Sequence, residues 1–239
     1  MSEDGYGFFE DKIVVGSYKI ECSLHEDYIH YSRAKESSVE RSKIIKNAEK
    51  LELLPIYPVF LPLAITKYVI VYFTEALNIP PSGNATIYIK IPVDISVYAY
   101  DANDNFTVID VFAVSSVKYA LYGPIEEGII ARYYKSEVFL DPVDPKLGEA
   151  LARIKIVNKT DSWVEIGKVL LDSQLLRLHY KPRTWEAYTQ EIAVNILARD
   201  KAIVNYLDKF VKNVVEIRDP EGFKPPRLRG SNEMIWGLR

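Results

Sequence analysis

Residues 111–139, VFAVSSVKYALYGPIEEGIIARYYKSEVF, constrain the fold more than any other stretch of the chain. Two apolar and aromatic runs flank Gly-Pro-Ile-Glu-Glu-Gly, the densest set of backbone-breaking residues in the interior. Gly and Pro at these positions end regular structure, and alternation on either side predicts paired strands. This hairpin is expected at the middle of the fold.

The remaining sequence extends the same pattern. Residues 8–33, FFEDKIVVGSYKIECSLHEDYIHYSR, alternate apolar and polar side chains with breaks at Glu10-Asp11, Gly16-Ser17 and Glu26-Asp27, which predicts a meander of short strands. Residues 34–50 are polar, and helix, strand and loop stay open there. Val69, Ile70, Val71, Tyr72 and Phe73 follow one another without a breaker and predict a buried strand. Residues 86–101 alternate again around Pro92, which marks an edge or a bulge. The densest later punctuation, DPVDPKLGEA after Phe139, predicts a domain boundary. Beyond it, short strands are expected up to residue 198. At 201–217 the period changes: Ile203, Val204, Leu207, Phe210, Val211, Val214 and Val215 fit one face of an amphipathic helix. The expected architecture is mainly β, with two β-sandwich-like units over 1–143 and 149–217, the second ending in that helix, and an extended C-terminal arm over 218–239.

With 239 residues the chain can bury a substantial core without staples. A balance of 30 basic and 33 acidic side chains, net charge -3, offers no global attraction for nucleic acid, so nucleic acid is not the expected partner. One cysteine, Cys22, cannot form an intramolecular disulfide, and a reducing cytoplasm is the expected setting. The acidic N-terminus lacks the basic and apolar regions of an export signal. The longest apolar stretch, residues 53–73, carries Pro55, Pro58, Pro62 and Lys67, so no membrane span is expected. Abundant charged residues with only two glutamines and two methionines hint at a thermophilic source.

The chemical motifs are sparse. Glu126 and Glu127 in the hairpin turn, with Arg132 and Tyr134 nearby, form a possible ligand or acid-base site, since neighbouring carboxylates raise each other's pKa. Adjacent strand residues point to opposite faces, however, and a Glu pair in a turn is ordinary. Asp101-Ala-Asn103-Asp-Asn105 begins like a calcium loop but has Phe106 in place of the required glycine, so it reads as an Asp/Asn turn. His25, His30 and His179 have no companion motif for zinc or for a hydrolytic triad. Gly5-Tyr6-Gly7 is too poor in glycine for a phosphate loop. The sequons at Asn84, Asn105 and Asn158 read as turn asparagines. Trp163 and Trp185 are the aromatics to consider for sugar stacking. No cofactor and no metal is implied, and no catalytic set emerges.

The C-terminal arm is locally basic, with Lys224, Arg227, Arg229 and Arg239 around Met234 and Trp236. Such an arm either packs on its own domain or docks on another chain, which makes Arg227, Arg229, Met234 and Trp236 a possible partner-docking element. Several short motifs, Pro58-Val-Phe-Leu-Pro62 with Ile65-Thr-Lys-Tyr68, Lys90-Ile-Pro-Val-Asp-Ile95, Lys118-Tyr-Ala-Leu-Tyr-Gly123 with Ala131-Arg-Tyr-Tyr134, and Met234-Ile-Trp-Gly-Leu238, resemble an uncharacterised archaeal family of unknown function. The resemblance covers nearly the whole chain and implies no activity or cofactor. The expectation for function is therefore a non-enzymatic cytoplasmic protein that binds a protein partner or associates with itself. The alternatives are a hydrolase or small-ligand site near Glu126, Glu127 and Arg132, and carbohydrate recognition by exposed aromatics.

Overall fold

A computed structural model describes residues 5–58, 65–220 and 230–239. The described residues are mainly β, and their strands form four sheets. The N-terminal alternation produces β1 (Gly7–Phe9), β2 (Lys12–Val15), β3 (Tyr18–Leu24), β4 (Tyr28–Lys35), β5 (Ser38–Lys46) and β6 (Lys50–Ile56). Strands β2, β3, β4 and β5 form an antiparallel meander in sequence order. Residues 34–50, open from sequence, thus hold a tight turn and an edge strand.

Then follow β7 (Tyr68–Ile79), β8 (Asn84–Pro92), β9 (Asp94–Tyr100) and β10 (Phe106–Phe112). Strands β1, β6, β9 and β10 make a second antiparallel sheet. All seven residues of β9 are buried, which explains its nearly continuous apolar sequence. Pro92 ends β8, and the chain then leaves one sheet for another, with the Val93 amide donating to Gly148 O at 3.0 Å. A proline suits this corner because it has no N–H to give to a ladder.

The hairpin forms β11 (Lys118–Tyr122) and β12 (Ile129–Ser136), and β12 lies parallel to β7, giving the order β11, β12, β7, β15, where β15 is Val164–Asp172. The fourth sheet is built on β14 (Glu149–Asn158). One edge of β14 pairs with β8 from Glu149 to Val157, and β8 also pairs with β13 (Val138–Phe139). The other edge is shared by two parallel neighbours, β17 (Ala187–Thr189) and β18 (Ile192–Ile196). Outside these lie β16 (Leu178–Tyr180), β19 (Ala202–Tyr206), β20 (Val215–Glu216) and β21 (Ser231–Met234). Strands before and after residues 143–149 therefore share two sheets, through β7 with β15 and β8 with β14.

The helix expected over 201–217 does not form. Residues 202–206 are a strand whose side chains alternate between buried and half-buried, with Ile203 and Val204 on opposite faces. Phe210, Val211 and Val215, part of the expected apolar face, are exposed, and Asn213 has a left-handed φ of 62° that a helix interior excludes. A strand, a turn and a second short strand reproduce the i, i+1, i+4 spacing, and the β-branched residues favour that outcome. Among the described residues no helix is long and apolar enough to cross a membrane.

Candidate functional site

The 111–139 hairpin closes as its sequence predicts. Leu121 stands opposite Ile130 and Tyr119 opposite Arg132, and the Gly128 amide donates to Pro124 O at 2.7 Å across the turn. Side chains therefore sort onto two faces. Ala120, Tyr122, Ile129, Ala131 and Tyr133 share one. Tyr119, Leu121, Ile130, Arg132, Tyr134 and Ser136 share the other.

On the first face the C-terminal arm packs against its own chain. Tyr122 is buried, and its ring meets Trp236 edge to face with centroids 5.6 Å apart. The Tyr122 hydroxyl donates to Gly237 O at 3.1 Å and accepts from the Trp236 amide at 3.2 Å. Leu238 is buried, and its carbonyl accepts from the amides of Gly167 and Lys168 at 2.7 and 3.2 Å, extending the edge of β15. Met234 is fully buried in β21. Gly123 is essential to this seat: its φ is +110°, and a Cβ there would lie 2.5 Å from Trp236 Cδ2. Arg227 and Arg229 lie outside the described residues.

On the second face Arg132 is buried, and its Nη1 donates to Asp94 Oδ2 at 2.8 Å and to Pro58 O at 3.2 Å. Burial holds the Asp94 carboxyl above its ordinary range, a rise that the Arg132 guanidinium only partly offsets. Tyr134 donates to Glu149 Oε1 at 3.0 Å, and burial, with the Glu149 charge and this bond behind it, raises its phenol far above the usual range. Lys90 completes the group, its Nζ 2.9 Å from Glu149 and its amide donating to Ser136 Oγ at 2.9 Å. Glu126 and Glu127 are exposed in the turn. The structure thus brings Arg132 and Tyr134 onto one face but gives each its own carboxylate, Asp94 and Glu149, and leaves the two glutamates outside in solvent. Asp94 and Glu149 were missed from sequence. Asp94 had a signal: a lone acid inside the apolar run IPVDISV must find a buried cation.

Beyond Arg132, toward the turn, the second face carries exposed apolar side chains. Leu121 and Ile130, directly opposite one another, are 41% and 50% exposed, and Ile125 at the turn is 88% exposed. Leu121 stands on β11, an edge strand of the sheet among the described residues, Ile130 on its neighbour β12, and Ile125 in the turn between them. Among the described residues no group of three or more His, Cys, Asp or Glu side chains could hold a metal ion.

A family model described as a protein of unknown function, DUF432, matches residues 6–233. The chain belongs to DUF432. The matched span contains the whole hairpin, its pairs with Asp94 and Glu149, and every strand from β1 to β20. No curated protein and no solved structure matches this DUF432 chain.

Proposed function

We propose that this DUF432 chain is a non-enzymatic binding protein that associates with a second copy of itself through the β11 edge, on a sandwich-like scaffold of stacked sheets. The observation that carries the reading is the exposed, directly opposed pair Leu121 on the edge strand β11 and Ile130 on β12, beside Ile125 in the turn that joins them. Isolated exposed apolar residues are ordinary, but a contiguous set at a sheet edge invites strand addition. The charges support a two-fold arrangement. Lys118 begins β11, and Glu126 and Glu127 follow its end, all three exposed. Antiparallel pairing of two β11 strands sets Lys118 of each copy toward the glutamates of the other, so a self-complementary contact satisfies both ends at once.

A reducing compartment fits this reading, since Cys22 is a free, half-buried thiol. Protein is a better partner than nucleic acid for a chain of net charge -3. Mass in solution tests the proposal. Sedimentation equilibrium is expected to return twice the 27.4 kDa chain mass, and Leu121→Glu with Ile130→Lys is expected to return the monomer with an unchanged melting temperature. A monomer at every concentration up to about 1 mM, where even weak specific contacts form, defeats the reading.

A further inference from the structure

The edge of β14 that faces β17 and β18 is interrupted. Ala150 and Leu151 pair with β17, pairing resumes with β18 at Ile154, and Gln190 and Glu191 bridge the gap. Thr189, Gln190 and Glu191 are all buried, three polar residues in succession inside a sheet. Two of them are satisfied locally. Thr189 Oγ1 donates to Gln190 O at 2.9 Å, while the Gln190 side chain donates to Leu175 O at 2.7 Å and accepts from the Arg177 amide at 2.8 Å.

Glu191 is different, because its carboxylate reaches toward solvent through two cations. Arg153 Nη1 donates to Glu191 Oε2, and Lys209 Nζ lies 3.6 Å from Oε1. The backbone locks this arrangement: the Glu191 amide donates to Lys209 O at 2.8 Å, and the Leu207 amide donates to Glu191 O at 2.9 Å. Arg153 and Lys209 are 50% and 70% exposed at their side chains, so most of their donors remain accessible. Together with Thr189, Glu191, Phe210 and Val211 they line an open cleft of about 310 Å³. That volume lies at the small end for organic ligands. Phe210 is held in place by the Arg177 guanidinium, 4.6 Å from its ring centroid, and by the His179 ring at 4.5 Å.

Two cations against one carboxylate leave the lining with net positive charge, and the buried Glu191 holds Arg153 by a hydrogen bond and draws Lys209 to the same side before any ligand arrives. We propose that this cleft binds a small organic anion, its oxygens taken by Arg153 and Lys209 and its compact apolar portion resting against Phe210 and Val211. Glu191 acts as a positioning residue. Pre-set donors beside an apolar wall recognise anionic oxygens attached to a short hydrocarbon or aromatic group, as in a carboxylate or a phosphate monoester.

Benzoate and phenyl phosphate distinguish the two anion types, and phenol is the neutral control. In amide-resolved NMR titrations of the full chain, one or both anions are expected to give saturable shifts at residues 153, 189, 191 and 207–211. Binding by one anion identifies its oxygen chemistry. Lys209→Gln is expected to weaken binding about tenfold, a typical loss for one charge-assisted contact. Val211→Glu sets a carboxylate in the cleft at a half-exposed position and is expected to abolish binding, with melting temperatures reported for both variants as a folding check. No saturable shift with either anion, equal binding of phenol, or affinities that neither folded variant changes would each overturn the proposal.

Discussion

Gly123→Ala tests whether the C-terminal arm is seated in the hairpin. At φ +110° an alanine is strained, at about 1–3 kcal/mol. Its Cβ would also come within 2.5 Å of Trp236 Cδ2 and 2.6 Å of Cε3, closer than carbon atoms can approach. Relieving such overpacking costs about 1–3 kcal/mol more. The sum, about 2–6 kcal/mol, corresponds to a fall in melting temperature of roughly 5–20 °C for a chain of this size. A double-mutant cycle separates the two contributions. In a Trp236→Ala background the clash disappears and only the backbone strain remains, so Gly123→Ala is expected to be about 1–3 kcal/mol milder there. Chemical denaturation supplies the free energies. Fluorescence of a Trp163→Phe, Trp185→Phe version reports Trp236 alone, and its emission is expected to shift to the red when alanine displaces the ring. Equal destabilisation in both backgrounds, with unchanged emission, refutes the seating of Trp236 on Gly123.

Two further outcomes follow from buried polar groups. Asp94→Asn removes the charge partner of a guanidinium that is only 2% exposed, and is expected to destabilise the chain by about 3–5 kcal/mol in urea unfolding; pairing Asp94→Leu with Arg132→Met is expected to restore much of that loss. Burial raises the phenols of Tyr6, Tyr31, Tyr57, Tyr98, Tyr100, Tyr180 and Tyr206 above their ordinary range. Because the folded values are raised, this stabilisation is complete below about pH 10 and is lost as pH rises beyond it, by about 1.4 kcal/mol per pH unit for each tyrosine that stays protonated only when folded. The tyrosinate absorbance of these seven, among the 17 tyrosines of the chain, is therefore expected to appear only in a cooperative step together with unfolding, and its full appearance while the fold is still intact by circular dichroism contradicts the assignment.

The strands were legible in this sequence because their signals are local. Breaks at Glu10-Asp11 and Gly16-Ser17 fall between β1, β2 and β3, and the Asp101 turn forms with Oδ1 accepting from the amides of Asn103 and Asn105 at 2.8 and 2.9 Å. The sequon asparagine at 158 likewise serves the backbone, its Nδ2 donating to Ile79 O, Pro80 O and Ser162 O. What the sequence hid is which distant strands meet. The proline-rich segment after Phe139 punctuates the chain as a linker does, and β8 and β14 pair across it over nine rungs, since the cost of closing a connection grows only slowly with its length. The partner of Arg132 was hidden for the same reason, since Asp94 lies 38 residues away. The late helix misled because its spacing is shared by two faces of a strand and a following turn, and only the ladders with β18 and β21 decide between them. The cleft had no sequence signal, since it exists where β14 changes neighbours.

The hairpin and the cleft are nevertheless not independent features. Glu149, which receives Tyr134 from the hairpin and Lys90 from β8, and Arg153, which lines the cleft, both belong to β14 and are four residues apart. Alternation puts them on one face, about 13 Å apart at the rise of a strand. Strand β14 is paired along both edges, so it holds these side chains in a fixed relation and cannot slide without breaking ladders to β8, β17 and β18 together. Any energetic coupling between self-association at β11 and anion uptake at Arg153 would have β14 as its shortest connected route, and it would be equal in both directions. A rigid shared strand favours near-zero coupling over a switch, because a switch needs two arrangements of comparable energy and a strand locked on both edges has one.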